Sequence, residues 1–132
     1  MKTITETNYV DIAEQHIKKL AAKTNPRTGK PLPMVTTSKI RNLLSITSDI
    51  YNEVLYLQED ALPTDIVSRI AYLRVRFLYE AGREPSVKDL VEESKALDVL
   101  QEIQGSKKNF ILFSRYMEAL VAFHRFYGGK DQ

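Results

Sequence analysis

The sequence predicts an all-α protein, a compact single-domain bundle of five or six helices. Apolar residues recur every three or four positions over several long stretches, as on the buried side of a helix. Five Pro and five Gly separate these stretches, and no pair of alternating segments predicts a hairpin. The length of 132 residues suits one domain with one core. Residues 1–132 therefore form one predicted helical domain, in which residues 24–35 are a Pro-rich basic loop and residues 128–132 a flexible tail.

The first three helices are bounded by recognisable capping and breaking residues. The first is predicted over residues 8–23 from its apolar period. The second begins at Thr36 or Thr37, either of which can cap its first turn, and is broken by residues 62–64. The third is predicted over residues 65–81, and Gly82 is its expected stop. Its buried stripe is expected to be Ile66, Ile70, Leu73 and Phe77.

The last part of the chain predicts two further helices. Residues 85–104 form the first of them, with a bend along its length, and Ser86 and Asp89 make a plausible capping box. Ser106 can cap the second, which runs to Tyr127. Apolar residues cover about half of this last helix, more than the surface helix of a monomer usually shows. The helix is therefore either the central strut of the bundle or partly in contact with another subunit.

Charge is unevenly distributed although the net charge is only +2. Between Glu14 and Asp49 the sequence holds seven Lys and Arg and no acidic residue, and residues 49–65 hold five acids and no base. This alternation favours separate surfaces for a polyanion and for protein neighbours. Ordinary solvated helix faces remain the alternative interpretation.

The sequence contains no pattern typical of catalysis or of metal binding. It has no Cys, and its two histidines, His16 and His124, lie on different predicted helices without the spacing of a metal site. His124 stands in an apolar run and is expected to be packed. No phosphate-cradling Gly-rich loop or nucleophile elbow occurs, so we expect no catalytic residues, metal or cofactor. The N-terminus lacks an apolar signal segment, and no apolar run could cross a bilayer. We therefore expect a cytoplasmic protein without membrane partners.

The third helix carries the most informative surface. Arg69 and Arg76 are seven residues apart and share one flank, and Tyr72 and Tyr79 lie directly beside them. Arg83 extends the row if the helix continues past the predicted stop. Guanidinium groups bind phosphates and aromatic rings stack on unpaired bases, so the row is a candidate RNA-binding surface. The alternative is that the arginines pair with acids of neighbouring helices while the tyrosines fill the edge of the core.

A second candidate lies at the start of the second helix. Lys39, Arg41 and Asn42 fall within its first turn or so, where free backbone N–H groups favour an anion. These residues could bind an RNA phosphate. A plain helix cap with solvated bases is the alternative.

Three segments together resemble the small subunit of the Csm-type (type III-A) CRISPR effector complex. They are TTSKIRNLL at residues 36–44, YLRVRFLYEAGR at residues 72–83, and YMEALVAF at residues 116–123 followed by FYG. The segments stand in the family's order and at its spacing, and they extend over most of the chain. The first helix is also similar to the start of family members from lactic acid bacteria. The Pro-rich loop after it matches no motif of the family.

The resemblance implies a non-catalytic role in antiviral defence. Members of this family are helical bundles that stack in several copies alongside the larger subunits holding the CRISPR RNA. They contribute basic contacts to the RNA backbone, while target cleavage belongs to other subunits. The implied partners are the other Csm subunits, copies of the chain itself, CRISPR RNA and single-stranded target RNA. Base pairing with the guide supplies specificity in such a machine, so the protein needs only sequence-independent contacts.

Two other functions remain open on the sequence. A stand-alone helical DNA-binding regulator would need a helix-turn-helix, for which the turn expected at Gly82 is a weak candidate. For an assembly protein with no nucleic-acid contact, the complex would form fully and keep its RNA affinity after loss of the arginine row.

Overall fold

Six helices account for most of residues 2–128, which are the residues that the computed structural model describes. Within that range no strand forms, and only two isolated bridges occur, Thr24–Pro31 and Ala61–Ser106. The prediction of an all-α bundle is confirmed. In chain order the helices are α1 (Tyr9–Ala22), α2 (Thr37–Val54), α3 (Thr64–Arg83), α4 (Pro85–Ser94), α5 (Ala96–Glu102) and α6 (Lys107–Phe126). The expected tail lies outside the described residues, apart from Gly128.

Helix α2 begins where the sequence indicates but ends earlier. Thr36 caps it, with its Oγ1 accepting a hydrogen bond from the Lys39 backbone N–H. The prediction that the helix continues to residues 62–64 is wrong, because it ends at Val54. The chain then turns towards the start of α6, where the Leu62 N–H donates to the Gly105 carbonyl at 2.9 Å. The Lys107 N–H likewise donates to the Asp60 carbonyl at 2.7 Å, so both backbone hydrogen bonds at this end of the segment are made to the start of α6 instead of within a helix.

Helix α3 continues through the glycine that was expected to stop it. Gly82 is helical and its φ is not positive, so the helix ends only after Arg83. Glu84 alone separates α3 from α4. The predicted capping box is also wrong, since Ser86 lies inside α4 and the helix has no side-chain cap. Pro85 occupies the first helical turn instead, where its missing N–H costs no hydrogen bond.

The prediction of one bent helix over residues 85–104 is wrong, because two separate helices, α4 and α5, form there. Lys95 adopts a left-handed conformation with a φ of 57° and separates α4 from α5. The Tyr116 hydroxyl donates a 2.8 Å hydrogen bond to the Ser94 carbonyl at this break. Burial raises the pKa of the Tyr116 hydroxyl above its ordinary value. Ser106 then caps α6 as predicted, its Oγ accepting a hydrogen bond from the Asn109 N–H at 3.2 Å.

Helix α6 runs through the middle of the bundle and packs against α1, α2 and α5. Its rings supply much of the core, and Phe77 of α3 lies against Phe113 with 6.1 Å between ring centroids. The four residues of the predicted α3 stripe are all buried. Fully buried side chains of α6 include Phe110, Phe113, Tyr116, Met117 and Leu120. The fold therefore gives α6 the role of a central strut.

The Pro-rich loop after α1 is held to the bundle by its end. Within it, the Leu32 N–H donates to the Lys23 carbonyl at 2.9 Å. The buried Val35 follows, and its carbonyl contacts His124 Nε2 at 2.5 Å. His124 is fully buried, so the expectation that it is packed is confirmed.

Candidate nucleic-acid interface

Helices α2 and α3 lie antiparallel, and two ion pairs mark their alignment. At one end Lys39 Nζ lies 3.0 Å from Glu84 Oε2. At the other end Glu53 of α2 pairs with Arg69 of α3. The start of α2 therefore lies beside the end of α3, which brings the two basic segments of the sequence to a common face. Neither the arginine spacing on α3 nor the basic start of α2 indicated by itself that the two segments lie side by side.

The predicted arginine row lies along this face of α3. Arg69, Arg76 and Arg83 are seven residues apart, which corresponds to about 10 Å along the helix axis between neighbours. Arg83 is part of the row because the helix continues through Gly82. Its guanidinium lies 5.5 Å from the centre of the Tyr79 ring, within the range of a cation–π interaction.

The three arginines differ in their partners. Arg69 pairs with Glu53, and Arg83 Nη1 lies 3.4 Å from Glu80 Oε1. Arg76 is half-buried and makes no ion pair or hydrogen bond with any residue in the range 2–128. Arg76 is therefore the member of the row whose charge is least compensated by the described part of the protein.

The start of α2 divides its three candidate residues between two sides of the helix. Lys39 and Asn42 line a cleft of about 250 Å³ together with Arg83. Arg41 is exposed, but two residues along an α-helix correspond to 160° around the axis, so it lies on the side away from Lys39. The structure therefore joins Lys39, Asn42 and the arginine row and separates Arg41 from them.

Carboxylates reduce the net positive charge of this face. Glu80 and Glu84 line the same cleft as Lys39 and Arg83, and Glu53 pairs with Arg69. A bound phosphate would have to displace or outweigh these partners. Five of the six paired side chains are 39–56% exposed, and only Glu80, at 16%, is largely buried. Exposed ion pairs are weak, so displacing Glu53 or Glu84 costs little.

A second basic cluster, which the sequence ranks below the arginine row, lies at the start of α6. Lys107, Lys108 and Arg115 line a larger cleft of about 620 Å³ together with three acids, Glu6, Glu59 and Asp60. Lys107 donates to the Leu57 carbonyl at 2.5 Å. The Lys108 backbone N–H donates a hydrogen bond to Asp60 that lowers the pKa of this carboxyl. The basic run after residue 106 was the available signal, but the acids that balance it come from distant segments.

His16 makes a contact between two helices. His16 Nδ1 lies 2.8 Å from Glu93 Oε2, joining α1 to α4. Over residues 2–128 no group of three or more His, Cys, Asp or Glu side chains could hold a metal ion.

None of the described helices is both long and apolar enough to cross a membrane.

The fold and this face together define a small all-helical protein in which α2 and α3 share a surface of both charges that is mainly basic. Comparison with known proteins gives its family: a family model described as Csm2 of type III-A matches residues 13–130. The protein named CRISPR system Cms protein Csm2 from Streptococcus thermophilus is 44% identical over 131 residues, covering 99% of this chain and 100% of the relative. The protein of the same name from Mycobacterium tuberculosis (strain CDC 1551 / Oshkosh) is 37% identical over 130 residues, covering 98% and 99% respectively. The chain therefore belongs to the Csm2 family of type III-A CRISPR systems, and the resemblance noted in its sequence is confirmed.

Proposed function

We propose that this chain is a non-catalytic, cytoplasmic small subunit that stacks in several copies within the Csm complex and contacts the RNA backbone in antiviral defence. Its partners are the other Csm subunits, further copies of itself, CRISPR RNA and single-stranded target RNA. The observation that carries the proposal is the antiparallel placement of α2 and α3, which puts one line of cations on a common face. The proposed RNA-binding residues are Lys39, Arg41, Asn42, Arg69, Arg76 and Arg83.

The chemistry of this face suits a sugar-phosphate backbone. Arginine offers several N–H donors in a planar fork that matches phosphate oxygens. The spacing of the row along one helix provides several phosphate contacts without reading base edges. Sequence-independent contact is sufficient because base pairing with the guide identifies the target.

Arg76 is expected to contribute most among the three arginines. It makes no ion pair within the described part of the chain, so a phosphate need not displace a carboxylate from it. Arg69 and Arg83 must first exchange a glutamate for the phosphate. Arg41 binds on the opposite side of α2, if it binds RNA, and its effect should therefore be separable from that of the row.

The test is target-RNA affinity of the reconstituted complex at several salt concentrations. The double variant Arg69→Ala/Arg76→Ala should weaken binding without changing sequence preference. Each lost phosphate contact should reduce the slope of log affinity against log salt by about 0.7 for a single strand or 0.9 for a paired target. The control is Lys19→Ala/Lys88→Ala, which removes the same charge from exposed positions on α1 and α4.

Two results would replace this proposal with one of the other functions. If the arginine variant assembles and keeps both affinity and salt slope, the row is structural and the chain is an assembly protein at this face. A preference for duplex DNA over RNA would favour the regulator. The structure provides no support for the regulator at Gly82, because a single residue joins α3 to α4 where a helix-turn-helix has a turn of three or four.

A further inference from the structure

Helix α3 carries a second apolar stripe on the side that faces away from the core. Its members follow one another at intervals of four, four, three and four residues, the spacing of a helix–helix contact surface. The larger side chains are well exposed, with 41% of Val67, 53% of Val75 and 48% of Leu78 accessible to solvent. The stripe consists of Val67, Ala71, Val75, Leu78 and Gly82.

The surroundings of this stripe extend its apolar character. Tyr72 and Tyr79, at 61% and 59% exposure, lie between it and the arginine row. On the solvent side of α3, the arc from Arg74 round to the two tyrosines contains no charged side chain, and its polar members are Thr64 and Ser68 near the start of the helix. The solvent-facing side of a helix is ordinarily polar, and a contiguous apolar patch of this kind marks an interaction surface.

The shape of the stripe suits a helix rather than a small molecule. Its ends, Val67 and Gly82, are fifteen residues apart, which corresponds to roughly 22 Å along the axis. Ala71 and Gly82 are small, and apart from the neighbouring backbone of the helix itself, nothing lies within 4 Å of where a Cβ on Gly82 would stand. A second helix can therefore approach the α3 backbone closely along this line.

The charges at the borders indicate which kind of helix fits. Arg74 stands at one border, exposed and without an ion pair to any of residues 2–128. Arg76 and Arg83 stand beyond the tyrosines at the other. Two copies of this chain that met face to face through the stripe would bring these arginines together, and like charges at an interface disfavour that pairing. A partner helix with carboxylates along its edges would be attracted at both borders.

We propose that the outer face of α3 docks an apolar, acid-edged helix of a different subunit of the Csm complex. This inference rests on membership of the Csm2 family and does not depend on RNA contact by the arginine row. The two surfaces lie on adjacent sides of one helix. A subunit docked on the stripe would therefore lie next to the arginine row.

The experiment is co-expression of the chain with the other Csm subunits and a guide RNA, followed by measurement of its stoichiometry in the purified complex. Val75→Glu should reduce incorporation by about tenfold, because it places an unpaired acid in an apolar contact beside the partner's own acids. Val75→Lys should cause a smaller loss, because its charge is opposite to that of the proposed partner. Val10→Glu on α1, where valine is 46% exposed, is the matched control and should be incorporated normally.

Several outcomes would overturn the proposal. Incorporation of Val75→Glu at the level of Val10→Glu would show that the stripe is not an interface. Equal losses with Glu and Lys would show that the partner has no acidic edge. A dimer of the isolated chain that Val75→Glu dissociates would identify a second copy as the occupant. Circular dichroism of the isolated variants distinguishes these results from misfolding, and Val75→Ser serves as a milder variant if the Glu variant is unfolded. The RNA salt slope of a normally assembled complex tests the arginine row separately.

Discussion

Lys39 at the start of α2 pairs with Glu84, the single residue that joins α3 to α4, with 3.0 Å between Nζ and Oε2. The two side chains are equally exposed, at 39% each. The pair therefore lies where salt screens it and where it contributes little to stability. It also lies in the cleft shared with Asn42 and Arg83, so Glu84 competes there with any bound phosphate.

Replacing Glu84 by Gln should strengthen RNA binding by the assembled complex. The substitution keeps the size of the side chain but frees the charge of Lys39 for a phosphate. We expect the slope of log affinity against log salt to steepen by up to about 0.7–0.9. The free energy of unfolding should change by less than about 1 kcal/mol. Glu92→Gln on the exposed side of α4 is the control for the general loss of one acid. Equal affinities for the two variants would mean that Lys39 does not contact RNA.

Tyr116→Phe should destabilise the fold without altering its helices. The variant leaves the Ser94 carbonyl without the 2.8 Å hydrogen bond that it accepts at the break between α4 and α5. An unsatisfied buried acceptor costs about 1–3 kcal/mol in the free energy of unfolding, measured by urea denaturation. Tyr56→Phe removes a hydroxyl from a residue that is 83% exposed, and it should leave the midpoint of urea denaturation unchanged. If both variants behave alike, the Ser94 carbonyl finds another donor.

Phe77→Ala and Leu78→Ala should differ sharply although they are neighbours on α3. Phe77 is fully buried against Phe113, and its truncation should cost about 3–5 kcal/mol of unfolding free energy. Leu78 is 48% exposed, and its truncation should change stability by less than about 0.5 kcal/mol. Thermal and urea unfolding of the isolated protein measure both. A large loss of stability from Leu78→Ala would place that side chain in the core instead of on the outer stripe.

Asp60 should make the stability of α6 dependent on pH in the acid range. The Lys108 N–H and the Ser106 hydroxyl donate to its carboxylate and lower its pKa in the folded state. Folding then favours the charged form, so the stabilisation is present above the unfolded pKa of about 3.9. It is lost as the pH falls through the lower folded pKa.

The measurement is the free energy of unfolding of Asp60→Ala and of the unaltered protein between pH 7 and the acid limit of folding. The difference between them should be largest near neutral pH and should shrink in strong acid. Glu59→Ala removes an adjacent exposed acid and should show a small difference throughout. A difference for Asp60→Ala that stays constant with pH would contradict the contribution of its charge.

Local signals in the sequence located most helices well. Thr36 and Ser106 were correctly predicted as caps, because capping depends on one side chain and the next few N–H groups. The buried stripe of α3 followed from its period alone. The stop expected at Gly82 and the capping box at Ser86 were wrong because glycine only permits a stop and Pro85 already starts α4. The early end of α2 depends on hydrogen bonds to residues around 105, which are too distant for any local pattern to predict.

The sequence by itself determined the helical class, the approximate helix positions, the absence of thiol chemistry and the resemblance to the family. These properties depend on the order of residues within a few turns or on short motifs. Only the tertiary structure decided that α2 and α3 are antiparallel, that Lys39 and Arg83 share a cleft, and that Arg41 lies apart from them. It also decided which basic side chains are paired, since Glu53 of α2 reaches Arg69 of α3 and Glu84 reaches Lys39 of α2. Charge compensation is a property of distances in space, and a sequence pattern specifies those distances only along one helix.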